Sequence, residues 1–206
     1  RTSYGPSEED LPTGEHVYEM PVELIQHIVK AYGIAAKRVK DCGFDMINVH
    51  AGHGWLFNQF LSPVQNHRTD EFGGSIENRT RFCRMIIDEV RSQIGPHMPI
   101  MLRLSADEFV KGGNTLEDTL EMMEYLVDEI DILNVSAAVN DTLQYQIDAN
   151  YLKDGWRSYM AKAFKEKFNK PVITSGNIRN PEVAEKILAE GHADLLAMGR
   201  GLIADP

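Results

Sequence analysis

Short apolar runs alternate along the chain with stretches in which apolar residues recur every three or four positions. Residues 1–20 are rich in Gly, Pro, Ser and Glu and read as loop. Pro21 suits a first helical turn, and Leu24, Ile25, Ile28, Val29, Tyr32, Ala36 and Val39 then form one apolar stripe, which Gly43 ends. FDMINVH (44–50) predicts a strand, and a long loop follows to about Gly74. Ser75 is placed to cap a helix with the stripe Phe82, Met85, Ile86, Val90 and Ile94, which the polar Glu89 interrupts and Gly95 stops. PIMLRLS (99–105) predicts the second strand. Thr115 and Asp118 form a capping pair for a helix to about Glu129, and IDILNVS (130–136) predicts the third strand. A loop of about twenty residues leads to a helix near 155–169, then to the strand PVITSG (171–176). Asn180-Pro181 starts a helix that Gly191 ends, and ADLLAMG (193–199) is the fifth strand.

Five near-continuously apolar strands separated by helices predict a parallel sheet covered on both faces. An open doubly wound sheet and part of a (β/α)₈ barrel both fit. The open sheet usually carries GxGxxG in its first βα turn, and neither that motif nor a P-loop occurs here. A whole barrel needs eight strands and typically ~250 residues.

The 206 residues suffice for one sizeable core, and 43% apolar with 25% charged residues is ordinary for a globular domain. A net charge of −10 argues against nucleic acid or an anionic membrane as partner. No apolar run is long enough to span a bilayer, and the first ten residues, RTSYGPSEED, do not resemble a signal peptide. The chain lacks a starting methionine, which suggests a piece of a longer protein. Cys42 and Cys83 lie in helical patterns outside any CxxC and read as small buried or half-buried apolar residues, in keeping with a reducing cytoplasm.

The unusual polar residues fall at strand ends, where a barrel places its chemistry. His50 ends the first strand, with His53 in the loop HAGHGW. A zinc site would need a third ligand, which is not evident, so no metal is expected; structural histidines and hydrogen-bond donors to a carbonyl oxygen both stay open. Arg103, inside the second strand, needs a partner: a neighbouring carboxylate such as Asp107 or Glu108, or the electron-rich edge of a ligand. The third strand ends in Asn134 and Ser136. Ser175-Gly176-Asn177 and Gly199-Arg200-Gly201 follow the last two strands, as tight turns or as a phosphate cradle.

HAGHGWLFNQFLSPVQNHRTDEFGGSIENRTRF (50–82), MLRLSADE (101–108) and SGNIRNPEVAEKILAEGHADLLAMGRGLIADP (175–206) together resemble the old yellow enzyme family, nearest its NADH:flavin oxidoreductase and 2,4-dienoyl-CoA reductase branch. The resemblance implies a single FMN-binding domain over 1–206, a (β/α)₈ TIM barrel fragment covering about strands 4 to 8. The first three strands would then be absent, as would any 4Fe-4S cluster or FAD domain beyond Pro206, and the arc would have two open edges, compatible with a homo-oligomer. It further implies FMN with NADH or NADPH as reductant and a small-molecule enone or enoyl-CoA substrate. His50 and His53 match the pair that binds the substrate's activating carbonyl, as catalytic and substrate-binding residues. Arg103 matches the arginine beside the flavin N1 and O2 edge, and Ser175, Gly176, Asn177, Gly199 and Arg200 match the FMN phosphate clamp. Arg68, Asp70, Glu71, Asn78 and Arg79 are expected to pin the long loop.

One position departs from the pattern. Many members place a tyrosine acid two residues after the second histidine, where this chain has Trp55. Indole is far too weak an acid, so Trp55 is expected to line the substrate slot, with Tyr4, Tyr145, Tyr151 or water supplying the proton. Two other readings remain at this level: a non-catalytic flavin-binding or assembly module, and a sugar-phosphate barrel lyase or isomerase.

Overall fold

The computed structural model describes residues 2–204. The first twenty residues are not simply loop. They hold β1 (Ser3–Gly5), β2 (Glu9–Asp10) and β3 (His16–Glu19) in a small sheet of order β1-β3-β2. Strands this short and polar carry no periodic signal, and they are secured from outside. The Arg68 guanidinium donates to the carbonyls of Pro6 (3.1 Å) and Met20 (2.8 Å), and the His67 N–H donates to Ser7 Oγ (2.7 Å).

After α1 (Val22–Asp41) and β4 (Ile47–Ala51), the expected long loop contains α2 (Leu56–Leu61). Phe57, Phe60 and Leu61 bury one side of this helix, with Phe57 and Phe60 packed on Phe82 at ring distances of 5.4 and 4.4 Å. Phe82 belongs to α3 (Ile76–Ile94), capped by Ser75 Oγ, which accepts from the Asn78 N–H. The polar interruption at Glu89 has a cause in packing. Gly33 is buried in α1, and the Glu89 side chain lies over it where a methyl group would sit. β5 (Ile100–Ser105) is followed by α4 (Leu116–Glu124), whose capping box pairs Thr115 with Asp118. This helix stops short of Glu129, and Val127–Glu129 form a separate 3₁₀ turn. Then come β6 (Ile132–Ser136), a loop containing the single turn α5 (Leu143–Gln146), α6 (Ser158–Phe168), β7 (Val172–Ser175), α7 (Pro181–Ala189), β8 (Leu195–Ala197) and α8 (Arg200–Ala204).

The large sheet has the order β4-β5-β6-β7-β8, every pair parallel. This order follows the chain without reversal. A doubly wound sheet reverses at a switch point, so the strands form an arc of a (β/α)₈ barrel.

Burial separates the two faces. Val49, Ala51, Leu102, Leu104, Leu133, Val135, Val172 and Thr174 are buried on the face that meets the core, while His50, Met101, Arg103, Ile173 and Ser175 on the other are only partly covered. The expected cover on both faces is therefore complete on one. Cys83 is wholly buried, and burial pushes its thiol up to about 12, whereas Cys42 is exposed rather than half-buried. Among the described residues no helix is long and apolar enough to cross a membrane.

The stretch expected to pin the loop after β4 does so through buried arginines. Arg68 forms a two-pronged pair with Asp70 (2.9 and 2.5 Å). Arg79 donates to the carbonyls of Leu61 (2.8 Å) and Gly74 (2.6 Å). Glu71 and Asn78 both accept from Arg81. Gly73 is required here, because a side chain would overlap the Arg68 carbonyl.

Candidate active site

Strand register brings three polar residues into one row on the open face. His50 pairs with Arg103, and Arg103 with Asn134, on β4, β5 and β6. Each carries a buried polar atom without a hydrogen-bond partner: His50 Nδ1, Arg103 Nε and Asn134 Oδ1. Such orphans are uncommon in folded proteins and call for an explanation, such as a missing ligand. Arg103 has no carboxylate within 4.0 Å among the described residues, so the ion pair with Asp107 or Glu108 does not form. The Glu108 carboxylate is otherwise engaged, accepting from Asn58 (2.8 Å), Ser62 (2.9 Å) and the Asn114 N–H (3.1 Å). Burial lowers the Arg103 pKa, yet a guanidinium stays charged.

His53 sits beside this row. Its backbone is left-handed, with φ 62°, and Gly54 follows at φ 74°. The His53 N–H donates to Ser105 Oγ (2.9 Å), whose own hydrogen goes to the Ala138 carbonyl (2.7 Å). The ring lies 5.0 Å from that of His50, and its Nε2 is 2.7 Å from Ser136 Oγ. Burial, with the charges of Arg103, His50 and Arg157, pulls the His53 pKa from 6.5 to about 3. Burial and Arg103 lower His50 as well. Both shifts favour the neutral imidazole near neutral pH.

The shift at His53 fixes a pH dependence. Below 6.5 the unfolded chain takes up a proton at this residue that the folded chain refuses until about 3. Stability is therefore expected to fall as pH falls through that window. Urea midpoints for His53→Gln should show a shallower decline than wild type over the same range; parallel curves would contradict the assignment.

Beside the row lies a cleft of about 860 Å³ lined by Arg103, Ser175, Gly176, Asn177, Gly199 and Arg200, the six residues expected to hold the cofactor. The two histidines do not line it; they are linked to it through Arg103. Trp55, expected to line the substrate slot, is 61% exposed at the start of α2. Of the expected proton donors, Tyr151 is exposed, Tyr4 packs on Tyr18 of the small sheet, and Tyr145 packs on Phe109 and Trp156.

The cleft also contains residues that sequence reasoning passed over. Arg157 is 4% exposed and reaches under the turn after β7. Its Nε donates to the Ser175 carbonyl (2.6 Å), its terminal nitrogens to Ser175 Oγ (3.1 Å) and the Tyr145 carbonyl (3.1 Å), and it pairs with Asp148 (3.2 Å). Any side chain at Gly176, with φ 118°, would run into this guanidinium. Asp148 Oδ1 also accepts from Trp156 Nε1 (2.8 Å). The Asn177 side chain is held by the carbonyls of Leu152 (2.9 Å) and Ala149 (3.3 Å), so what it offers a ligand is main chain. Four arginines, Arg103, Arg157, Arg179 and Arg200, line the cleft against one acidic residue, Asp148. A chain of net charge −10 thus holds one locally cationic hollow, which suits an anionic ligand. The signal missed was Arg157 in YLKDGWRSYM, where a lone arginine beside aromatic residues stands in an otherwise unpatterned segment.

This fold and site are those of a barrel arc with an anion-suited cleft rather than of a nucleotide-binding open sheet, and comparison with known proteins places the chain in a family. Residues 3–206 match the model of the NADH:flavin oxidoreductase / NADH oxidase family, and the chain belongs to that family. It is 44% identical over 194 residues to an NADH oxidase of Thermoanaerobacter brockii, covering 94% of this chain and 30% of that protein. It is 38% identical over 189 residues to an NADPH dehydrogenase of Clostridium acetobutylicum, covering 91% of this chain and 54% of the relative. The chain therefore spans about a third to a half of these relatives. A 2-naphthoyl-CoA reductase structure in complex with 2-naphthoyl-CoA superposes with a TM-score of 0.92 at 30% identity, covering 100% of this chain and 32% of that one. The flavin that the family implies fits the residues present. Orphaned Arg103 Nε and Asn134 Oδ1 offer a donor and an acceptor, and the arginine-lined cleft beside them suits a phosphate.

Proposed function

We propose that the chain is the substrate- and flavin-binding part of an FMN-dependent oxidoreductase that moves hydride between NAD(P)H and an α,β-unsaturated carbonyl compound. The observation that carries this reading is the row of orphaned polar atoms at His50, Arg103 and Asn134 beside a cationic cleft. Arg103 would hold the electron-rich N1 and O2 edge of the ring, and the turns Ser175–Asn177 and Gly199–Arg200 would hold the phosphate, with Arg157 keeping the first turn in shape. FMN, when bound, supplies a centre that accepts hydride from the nicotinamide and returns it to the substrate.

His50 and His53, both neutral, donate hydrogen bonds to the substrate's carbonyl oxygen and draw charge toward it, which makes the β-carbon electrophilic. Trp55, exposed at the start of α2, would offer the substrate an apolar surface, and the proton for the α-carbon would come from a tyrosine or water, since indole cannot give one. The similar proteins named for NADH and NADPH support a nicotinamide reductant, and the one bound to 2-naphthoyl-CoA supports an acyl-CoA thioester as substrate.

The test is spectroscopic. The full-length protein should carry flavin absorbance that bleaches on adding NADH or NADPH and returns on adding an enone or enoyl-CoA under anaerobic conditions. A colourless protein would remove the flavin reading. Bleaching without return would leave only a flavin-binding module.

A further inference from the structure

Ser136 and Ser105 are register partners on β6 and β5, and both hold His53, one by its ring and one by its main chain. The hydrogen of Ser105 is accounted for, since Ser105 Oγ donates to the Ala138 carbonyl. Ser136 is different. It is 1% exposed, and among the described residues its hydroxyl meets one hydrogen-bonding partner, His53 Nε2 at 2.7 Å.

That circumstance decides where the ring proton lies. A neutral imidazole carries one N–H. If Nε2 bore it, the ring would donate to Ser136 Oγ, and the serine's own hydrogen would be buried with no acceptor. An unpaired buried donor carries a desolvation penalty of ~1–3 kcal/mol. If Ser136 donates to Nε2 instead, its one hydrogen is satisfied, and the ring proton is left on Nδ1, which has no hydrogen-bond partner among the described residues.

We propose that Ser136 is a positioning residue that fixes the Nδ1–H tautomer of His53, so that this ring meets its ligand as a hydrogen-bond donor. The proposal rests on the substrate role given to His53 above. It extends that role by excluding the other tautomer, in which Nδ1 would repel a carbonyl oxygen. The low pKa of His53 agrees, because it keeps the ring neutral over the working pH range and makes the tautomer matter.

The test has two arms on the full-length protein. In the first, long-range ¹H–¹⁵N correlation spectra of ¹⁵N-histidine-labelled protein, assigned by loss of the signals in His53→Gln, report the two ring nitrogens separately. The expected result is a protonated Nδ1 and an unprotonated Nε2 in wild type, with the two forms mixing in Ser136→Ala. In the second, enone-dependent reoxidation of the reduced flavin should slow by about tenfold or more in Ser136→Ala and recover to within about threefold in Ser136→Thr, which keeps the hydroxyl. A protonated Nε2 in wild type overturns the proposal, as do equal rates in the alanine and threonine variants. Enone turnover that survived loss of both histidines would refute the substrate role, while the spectra would still decide the tautomer.

Discussion

Replacing His50 and His53 together by alanine is expected to lower enone turnover by about 10³–10⁵-fold while flavin remains bound. The size follows from the chemistry of such sites. Removing one preorganised donor to a developing oxyanion typically costs ~10²–10³ in rate, and two donors sharing one oxygen combine less than additively. The environment favours a large effect, because both rings sit beside the Arg103 charge, and His53 is only 6% exposed. Neither ring carries a structural ion pair, and the main-chain N–H of residue 53 keeps its bond to Ser105 Oγ, so the variant is expected to fold at a modest cost for alanine at φ 62°. Stopped-flow reoxidation with a saturating enone measures the loss. A rate within a few-fold of wild type, with normal flavin content, would defeat the oxyanion role.

The second large effect is one of stability. Asp148→Ala leaves the Arg157 guanidinium buried without its carboxylate, and removing one partner of a buried pair typically destabilises by ~3–5 kcal/mol. Here the aspartate also receives the Trp156 indole N–H and adopts φ 54°, a conformation that aspartate tolerates better than alanine. Asp148→Asn keeps the acceptor and the backbone tolerance but not the charge, so its loss should be smaller. Urea unfolding at constant m-value separates the variants. Because Arg157 shapes the Ser175–Gly176 turn, flavin release should accompany the alanine change. A midpoint unchanged in Asp148→Ala would mean that the pair contributes nothing.

The parallel βα pattern was legible because each strand is a short, near-continuous apolar run and each long helix has one apolar stripe. Ser75, Thr115 and Asn180 announced their helices through capping side chains that the structure uses. The small amino-terminal sheet was not legible, since β1 to β3 have no buried face of their own and depend on Arg68, far along the chain. α2 was missed although Leu56, Phe57, Phe60 and Leu61 are spaced as one face of a turn, because the surrounding glycines and prolines obscured so short a helix.

In the site, the histidines and Arg103 stood out as polar residues at the ends of apolar runs. Asn134 and Ser136 were noted at a strand end without a role; their significance comes from register, which places them beside Arg103 and Ser105. Asp148 left no mark in the sequence, and Arg157 left only its isolation among aromatic residues, because a buried pair closed across a loop leaves no periodic trace.

The strictly consecutive order of β4 to β8 also bears on how the chain finds its fold. Every strand pairs with the one that follows it, from Ile47 with Ile100, the longest reach, to Ile173 with Leu195, the shortest. Loop-closure entropy grows only logarithmically with length, so these reaches differ by less than about 1 kcal/mol. No single pairing is then the obligatory first step, and the arc can grow one βα unit at a time from whichever neighbouring pair forms first.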